Sequence, residues 1–137
     1  MQDGFVKVAA ATPKLRVADC SFNARSTIEV ALEAAAQGAQ LLVLPELCLT
    51  AYTCGDLFFQ PTLLSGAEAA LKQVARALAD SDMVMVLGLP VPLFGKIYNC
   101  AAVVQRGEVL GLVPKTHLPN YGEFYEKRQF AANDMDF

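Results

Sequence analysis

"LLVLPELCLTAYTCGDLF", residues 41–58, begins with four aliphatic residues, meets a proline and a carboxylate, and turns apolar again at once. Leu41 to Leu44 read as a short buried strand. Pro45 cannot donate to a sheet ladder and so ends it. Glu46 is thereby placed at the strand's exit, with Leu47, Cys48 and Leu49 directly behind it. A carboxylate in that position is either a solvated loop residue or an acid or base held in a pocket.

Working outward, strands and helices alternate. Upstream, "FVKVAAATP" (Phe5–Pro13) reads as a first strand closed by proline. "SFNARSTIEVALEAAAQG" reads as a helix with Ile28, Leu32 and Ala35 on its apolar face and Gly38 as its stop. Downstream, Ser65 and Glu68 form a capping-box pattern that predicts a helix start at Ser65. Leu71, Val74, Ala75 and Leu78 then make its buried face, and "MVMVLG" (Met83–Gly88) reads as a third strand. Continuous apolar strands between amphipathic helices imply parallel strands in a covered sheet. The pattern then changes. "IYNCAAVVQ" and "EVLGLVPK" flank Arg106-Gly107, the mark of a tight antiparallel hairpin. After Lys115 no period holds, and the stretch reads as loop with a turn of helix. The closing "ANDMDF" offers neither a cap nor a final element, so the α/β domain reads as unfinished.

The bulk numbers narrow the function classes. A chain of 137 residues suits one domain, and a hydrophobic fraction of 54% with 18% charged residues suits a large core. A net charge of −3 gives no electrostatic footprint for nucleic acid; the densest positive charge is the pair Lys127 and Arg128. Charges interrupt every apolar run before membrane-spanning length, and the N-terminus lacks the basic start of an export signal. The four cysteines, Cys20, Cys48, Cys54 and Cys100, show no CxxC spacing and read as packed, reduced thiols of a cytoplasmic protein.

Two motifs fail. Gly88 and Gly95-Lys96 suggest a phosphate loop, but six residues separate the glycines and Ile97 replaces the required Ser or Thr. No G-x-S-x-G elbow is present, and with His117 as the single histidine there is no His-rich metal site. One pair remains. Glu46 follows "LVLP" and Lys115 follows "GLVP", each sent outward by proline at the end of an apolar strand. Ligands of open α/β sheets bind outside the carboxyl ends of strands, so opposite charges can project over one mouth. A solvated glutamate and a solvated lysine fit the same spacing.

"LVLPELCLTAYTCGDLF" and "GLVPKTHLPNYGEFYEKRQF" resemble, in order, the first two signature blocks of the nitrilase, or carbon–nitrogen hydrolase, superfamily. The hairpin "YNCAAVVQRGEVLGLVPK" fits the same family, and the resemblance runs from Phe5 to about Phe130. The second block is similar, more narrowly, to the amide-hydrolase domain of glutamine-dependent NAD synthetases. The resemblance implies the N-terminal half of a four-layer αββα sandwich with a mixed sheet, and a Glu-Lys-Cys site. Glu46 would be the general base, Lys115 the oxyanion stabiliser and Glu123 a second carboxylate beside the lysine. Tyr121 would hold glutamine, and Tyr52 would line the same pocket. The family usually has glycine where this chain has Ala51.

The family's nucleophilic cysteine lies on a later strand, whereas no cysteine here follows Lys115. Residues 1–137 thus read as a partial glutamine amidohydrolase domain without its nucleophile, inactive alone and free of metal or cofactor. By family, ammonia from glutamine would pass to a C-terminal synthetase domain that uses ATP and magnesium to amidate deamido-NAD, within a homo-oligomer. Two alternatives stand: another amidase or carbamoylase of the superfamily, or a non-catalytic half-domain used in assembly.

Overall fold

The computed structural model describes residues 4–133. Residues 1–3 and 134–137, on which the readings of the N-terminus and of the uncapped end partly rest, lie outside the described residues. The elements are β1 (Val8–Ala10), α1 (Cys20–Ala36), β2 (Leu41–Val43), a 3₁₀ turn (Gly55–Phe59), α2 (Pro61–Ala77), β3 (Val84–Leu93), β4 (Lys96–Gln105), β5 (Glu108–Pro114) and a last 3₁₀ turn (Glu126–Arg128). They form one five-stranded sheet in sequence order. β1, β2 and β3 run parallel, whereas β4 and β5 return antiparallel. The expected α/β architecture with a mixed sheet is present. No helix among the described residues is long and apolar enough to cross a membrane.

The helices differ from expectation in two details. Asp19 caps α1 by accepting the Phe22 N–H at 3.0 Å. The packed face of α1 is Cys20, Ala24, Thr27 and Ala31, with Asn23 beside them. Ile28 and Ala35 only flank that core, and Leu32 is 50% exposed. Helix α1 packs on α2, and close approach favours the small side chains over the larger ones. Helix α2 starts at Pro61, not at Ser65. A proline at the first helical position has its φ already set and needs no N–H partner, so the capping-box pattern lies unused inside the helix. The expected face of α2 holds: Leu71, Val74, Ala75 and Leu78 are all buried.

Strand β3 does not stop at Gly88 but runs through Pro90 and Pro92 to Leu93. Val86 and Gly88 aim their carbonyls away from β4, accepting the N–H groups of Leu44 at 2.9 Å and Leu49 at 3.2 Å. Pro90 and Pro92 share that parity, so their missing donors point where β2 has already ended and no ladder bond is lost. The next turn, Phe94-Gly95, has both φ values positive, 53° and 74°, as does the expected hairpin turn Arg106-Gly107 at 51° and 81°. Both suit tight hairpins. The rejected phosphate-loop glycine is thus a hairpin glycine.

The sheet is apolar on both faces. Leu42, Met85, Leu87, Ala102 and Val104 are buried on the helix side. On the other face Val8, Val43 and Val113 are exposed, and Val86, Ala101 and Val103 between them are half-buried. One helix-covered face and one apolar face without helices is the arrangement of half a layered sandwich.

Candidate active site

Beyond β2 the chain crosses directly over β3. A Cβ built on Gly88 would lie 2.2 Å from the Leu47 nitrogen and 2.9 Å from the Glu46 carbonyl carbon. Only glycine permits so close a backbone crossing. Leu47 itself takes a left-handed φ of 54°, a conformation that costs about 1–2 kcal/mol for a residue with a Cβ. Leu47, Cys48 and Leu49 are fully buried and hold the loop in place. They anchor Glu46 rather than screening it, and its side chain stays 43% exposed. Ala51 is also left-handed, at 67°, which is the physical reason for a glycine preference there. Ala51→Gly is expected to raise stability by about 0.5–1 kcal/mol, roughly 2–5 °C in Tm by thermal melting. A fall in Tm would show that the methyl's packing outweighs the strain.

Lys115 extends the β4–β5 ladder one residue past Pro114, its N–H donating to the Asn99 carbonyl at 2.8 Å. Its Nζ lies 2.8 Å from Glu46 Oε1 and 3.1 Å from Glu126 Oε1. The two strand-exit charges therefore meet over one mouth. Asn99 Nδ2 donates to the same Glu46 Oε1. Tyr52 donates its hydroxyl to Glu126 Oε2 at 2.6 Å. Burial acts to lower the Lys115 pKa, but the hydrogen bonds to Glu46 and Glu126 prevail and hold it above the ordinary 10.5. Lys115 thus stays an ammonium through the neutral range. The stabilisation linked to this shift is fully present below pH 10.5 and is lost as pH rises through the folded value. Burial, then the bond to Glu126, pushes the Tyr52 phenol up as well, so it stays a donor.

The carboxylate beside the lysine is Glu126, not Glu123. Glu123 is exposed, and the ion pairs of Lys115 run to Glu46 and Glu126. Glu126 is only 4% exposed, on a turn whose next anchor is buried Phe130. The Phe130 N–H bonds to the Glu126 carbonyl at 2.8 Å, and its ring packs on Phe58 at 4.8 Å. Outside, Arg128 grips Asp56 with two hydrogen bonds of 2.8 and 2.7 Å. Tyr121 is 72% exposed and stacks edge-on with Phe124, as Tyr52 also does. The two tyrosines therefore share an aromatic wall, through a phenylalanine that sequence reasoning missed.

Glu46, Gly88, Asn99, Ala101, Val113 and Lys115 line an open cleft of about 300 Å³ on the sheet face away from the helices. A larger cleft of about 630 Å³ lies at the start of α1, beside Asp19, Cys20 and Gln60, but brings no acid–base pair together. The four cysteines are buried and free, as their packing reading expects. Burial raises the thiols of Cys20, Cys48 and Cys100 to about 11, and that of Cys54 moves the same way. Strand alternation turns Cys100 to the face opposite its neighbour Asn99, in register with buried Leu89. His117 is exposed. Among the described residues no group of three His, Cys, Asp or Glu side chains could hold a metal.

The mixed sheet thus carries Glu46 and Lys115 at two strand exits, with Glu126 of the last 3₁₀ turn closing the network. The chain belongs to the carbon–nitrogen hydrolase family, whose description matches residues 7–136. It is 44% identical over 133 residues to the glutamine-dependent NAD(+) synthetase of Mycobacterium tuberculosis, covering 97% of this chain and 20% of that protein. The chain thus spans about a fifth of the length of the curated relatives it matches. A solved glutamine-dependent NAD(+) synthetase from Cytophaga hutchinsonii superposes with a TM-score of 0.87 at 32% identity, over 93% of this chain and 22% of that one. An amidase from Nesterenkonia superposes at 0.80 and 27% identity, over 98% of this chain and 51% of that one.

Proposed function

We propose that this chain supplies the base and the oxyanion-stabilising cation of a glutamine amidohydrolase site within a glutamine-dependent NAD synthetase. The observation that carries the reading is the Lys115 ammonium held between Glu46 and Glu126 at 2.8 and 3.1 Å, at the exits of two strands. Glu46 takes the proton of the attacking thiol and returns it to the departing nitrogen. It then takes a proton from the water that hydrolyses the thioester. Lys115 faces the oxygen of the carboxamide as negative charge builds there, in a fixed position that needs no reorganisation. Tyr121 offers an exposed ring and hydroxyl near the site, while Tyr52, its hydroxyl engaged by Glu126, offers a ring face to the neighbouring cleft.

The nucleophile is none of the cysteines present. All four are buried, and Cys100, next to Asn99 in sequence, turns to the opposite face of the sheet. The acyl-forming thiol, and the groups that handle ATP, magnesium and deamido-NAD, belong to sequence outside these residues. Four free thiols suit a reducing cytoplasm. The apolar sheet face calls for burial against further protein, in the same chain or in a second copy.

Lys115→Met in the full-length protein tests the reading. Glutamine-dependent NAD synthesis is expected to fall about 10²–10³-fold, as on loss of one oxyanion donor, while synthesis from added ammonia persists. Unchanged glutamine-dependent rates would remove Lys115 from the site. Ammonia release from simple aliphatic amides in preference to glutamine would favour a general amidase.

A further inference from the structure

We propose that Asn99 is a positioning residue that holds both members of the Glu46–Lys115 pair, the carboxylate through its side chain and the lysine through its backbone. The inference rests on the functional reading above. Asn99 lies within β4 and is only 3% exposed. Its Nδ2 donates to Glu46 Oε1, and its carbonyl accepts the Lys115 N–H at 2.8 Å. One residue of a paired strand therefore touches a base carried on the loop after β2 and a cation carried at the end of β5. Register with Pro90 on one side and the Lys115 bond on the other fix where that residue stands. Groups held by such an element keep their geometry better than groups on loops.

The contact also divides the work between the two carboxylate oxygens. Oε1 of Glu46 accepts from both Asn99 and Lys115. Among the described residues Oε2 accepts no hydrogen bond, so it is the oxygen left to receive the thiol's proton. An amide suits this task because it donates at every pH and carries no charge. The charged and titratable groups facing Glu46 are Lys115 directly, with Glu126 and Tyr52 behind it and Glu123 acting on Tyr52 from the loop. A carboxylate in place of the amide would add a negative charge at contact distance and remove the donor, so the pair would bind a proton at higher pH.

The test is Asn99→Asp in the full-length protein, with Glu46→Gln alongside. Glutamine-dependent kcat is expected to fall about 10–10²-fold, the size of effect that a displacement near 1 Å produces. KM for glutamine should stay within about threefold, and the acid limb of the kcat profile should move to higher pH, in the direction an added carboxylate imposes. Ammonia-dependent synthesis should be unchanged. A wild-type kcat with an unmoved acid limb overturns the proposal. If Glu46→Gln is crippled in that same series, the functional reading survives without Asn99. If Glu46→Gln is also unaffected, the reading itself falls. Should Asn99→Asp fail to fold, Asn99→Ser decides by the same split. Loss of kcat at constant KM with ammonia-dependent synthesis intact supports positioning, whereas equal loss of both activities assigns Asn99 a merely structural part.

Discussion

Replacing Glu46 by glutamine in the full-length protein is expected to lower glutamine-dependent kcat by about 10²–10⁴-fold, the usual worth of a general base. Glutamine keeps the size of the side chain, and its carbonyl can still accept from Asn99 and Lys115, as Oε1 does now. The amide nitrogen then takes the place of Oε2 and cannot accept the thiol's proton. Because the side chain is 43% exposed, the cost to folding should be small, so a melting curve close to wild type is part of the expectation. Synthesis from added ammonia bypasses amide cleavage and should survive. Two comparisons sharpen the result. Glu123→Gln, at an exposed position, should leave both activities near wild type, whereas Lys115→Met should show the same split as Glu46→Gln through loss of the cation. Near-normal rates with either nitrogen source in Glu46→Gln would return Glu46 to the status of a surface residue.

What was legible in the sequence follows the range of the forces involved. Strand β2, its exit at Glu46, the 106–107 hairpin and the buried face of α2 depend on neighbours within a few positions, and their patterns could be read directly. The face of α1 depends on what α2 presents to it, so Leu32 reads as core by periodicity yet lies 50% exposed. The start of α2 was misplaced because two local signals competed and the proline prevailed. The prolines of β3 read as a strand end because nothing local shows that β2 stops short and leaves that edge open. The site divides in the same way. Glu46 and Lys115 announce themselves as charges after proline at strand exits. Asn99 and Glu126 do not, because their partners lie 53 and 11 residues away and meet them only through the sheet and the clamped loop.

Gly88→Ala is the single change expected to break the site most completely, although Gly88 carries no chemistry. A methyl there would sit 2.2 Å from the Leu47 nitrogen, 2.9 Å from the Glu46 carbonyl carbon and 3.0 Å from Glu46 Cα. All three are backbone atoms, so no side chain can swing aside. The loop is also tied down, through the Leu49 N–H to Gly88 at 3.2 Å and through fully buried Leu47 and Leu49. Overpacking of this kind costs about 1–3 kcal/mol where side chains can yield, and more where they cannot. A cost of about 3 kcal/mol or more would take a large share of a typical domain's ~5–15 kcal/mol. The protein has two responses. Either the fold is lost, or the loop lifts and draws Glu46 away from Lys115 and Asn99, and glutamine-dependent activity disappears in both cases. Where the protein remains soluble, ammonia-dependent synthesis should persist, which marks the damage as local. Gly111→Ala is the matched control. Its Cβ would meet nothing within 4 Å, and Tm and both activities should stay close to wild type. A Gly88→Ala protein with normal Tm and normal glutamine-dependent rates would mean that the Glu46 loop does not cross β3 as closely as this geometry requires.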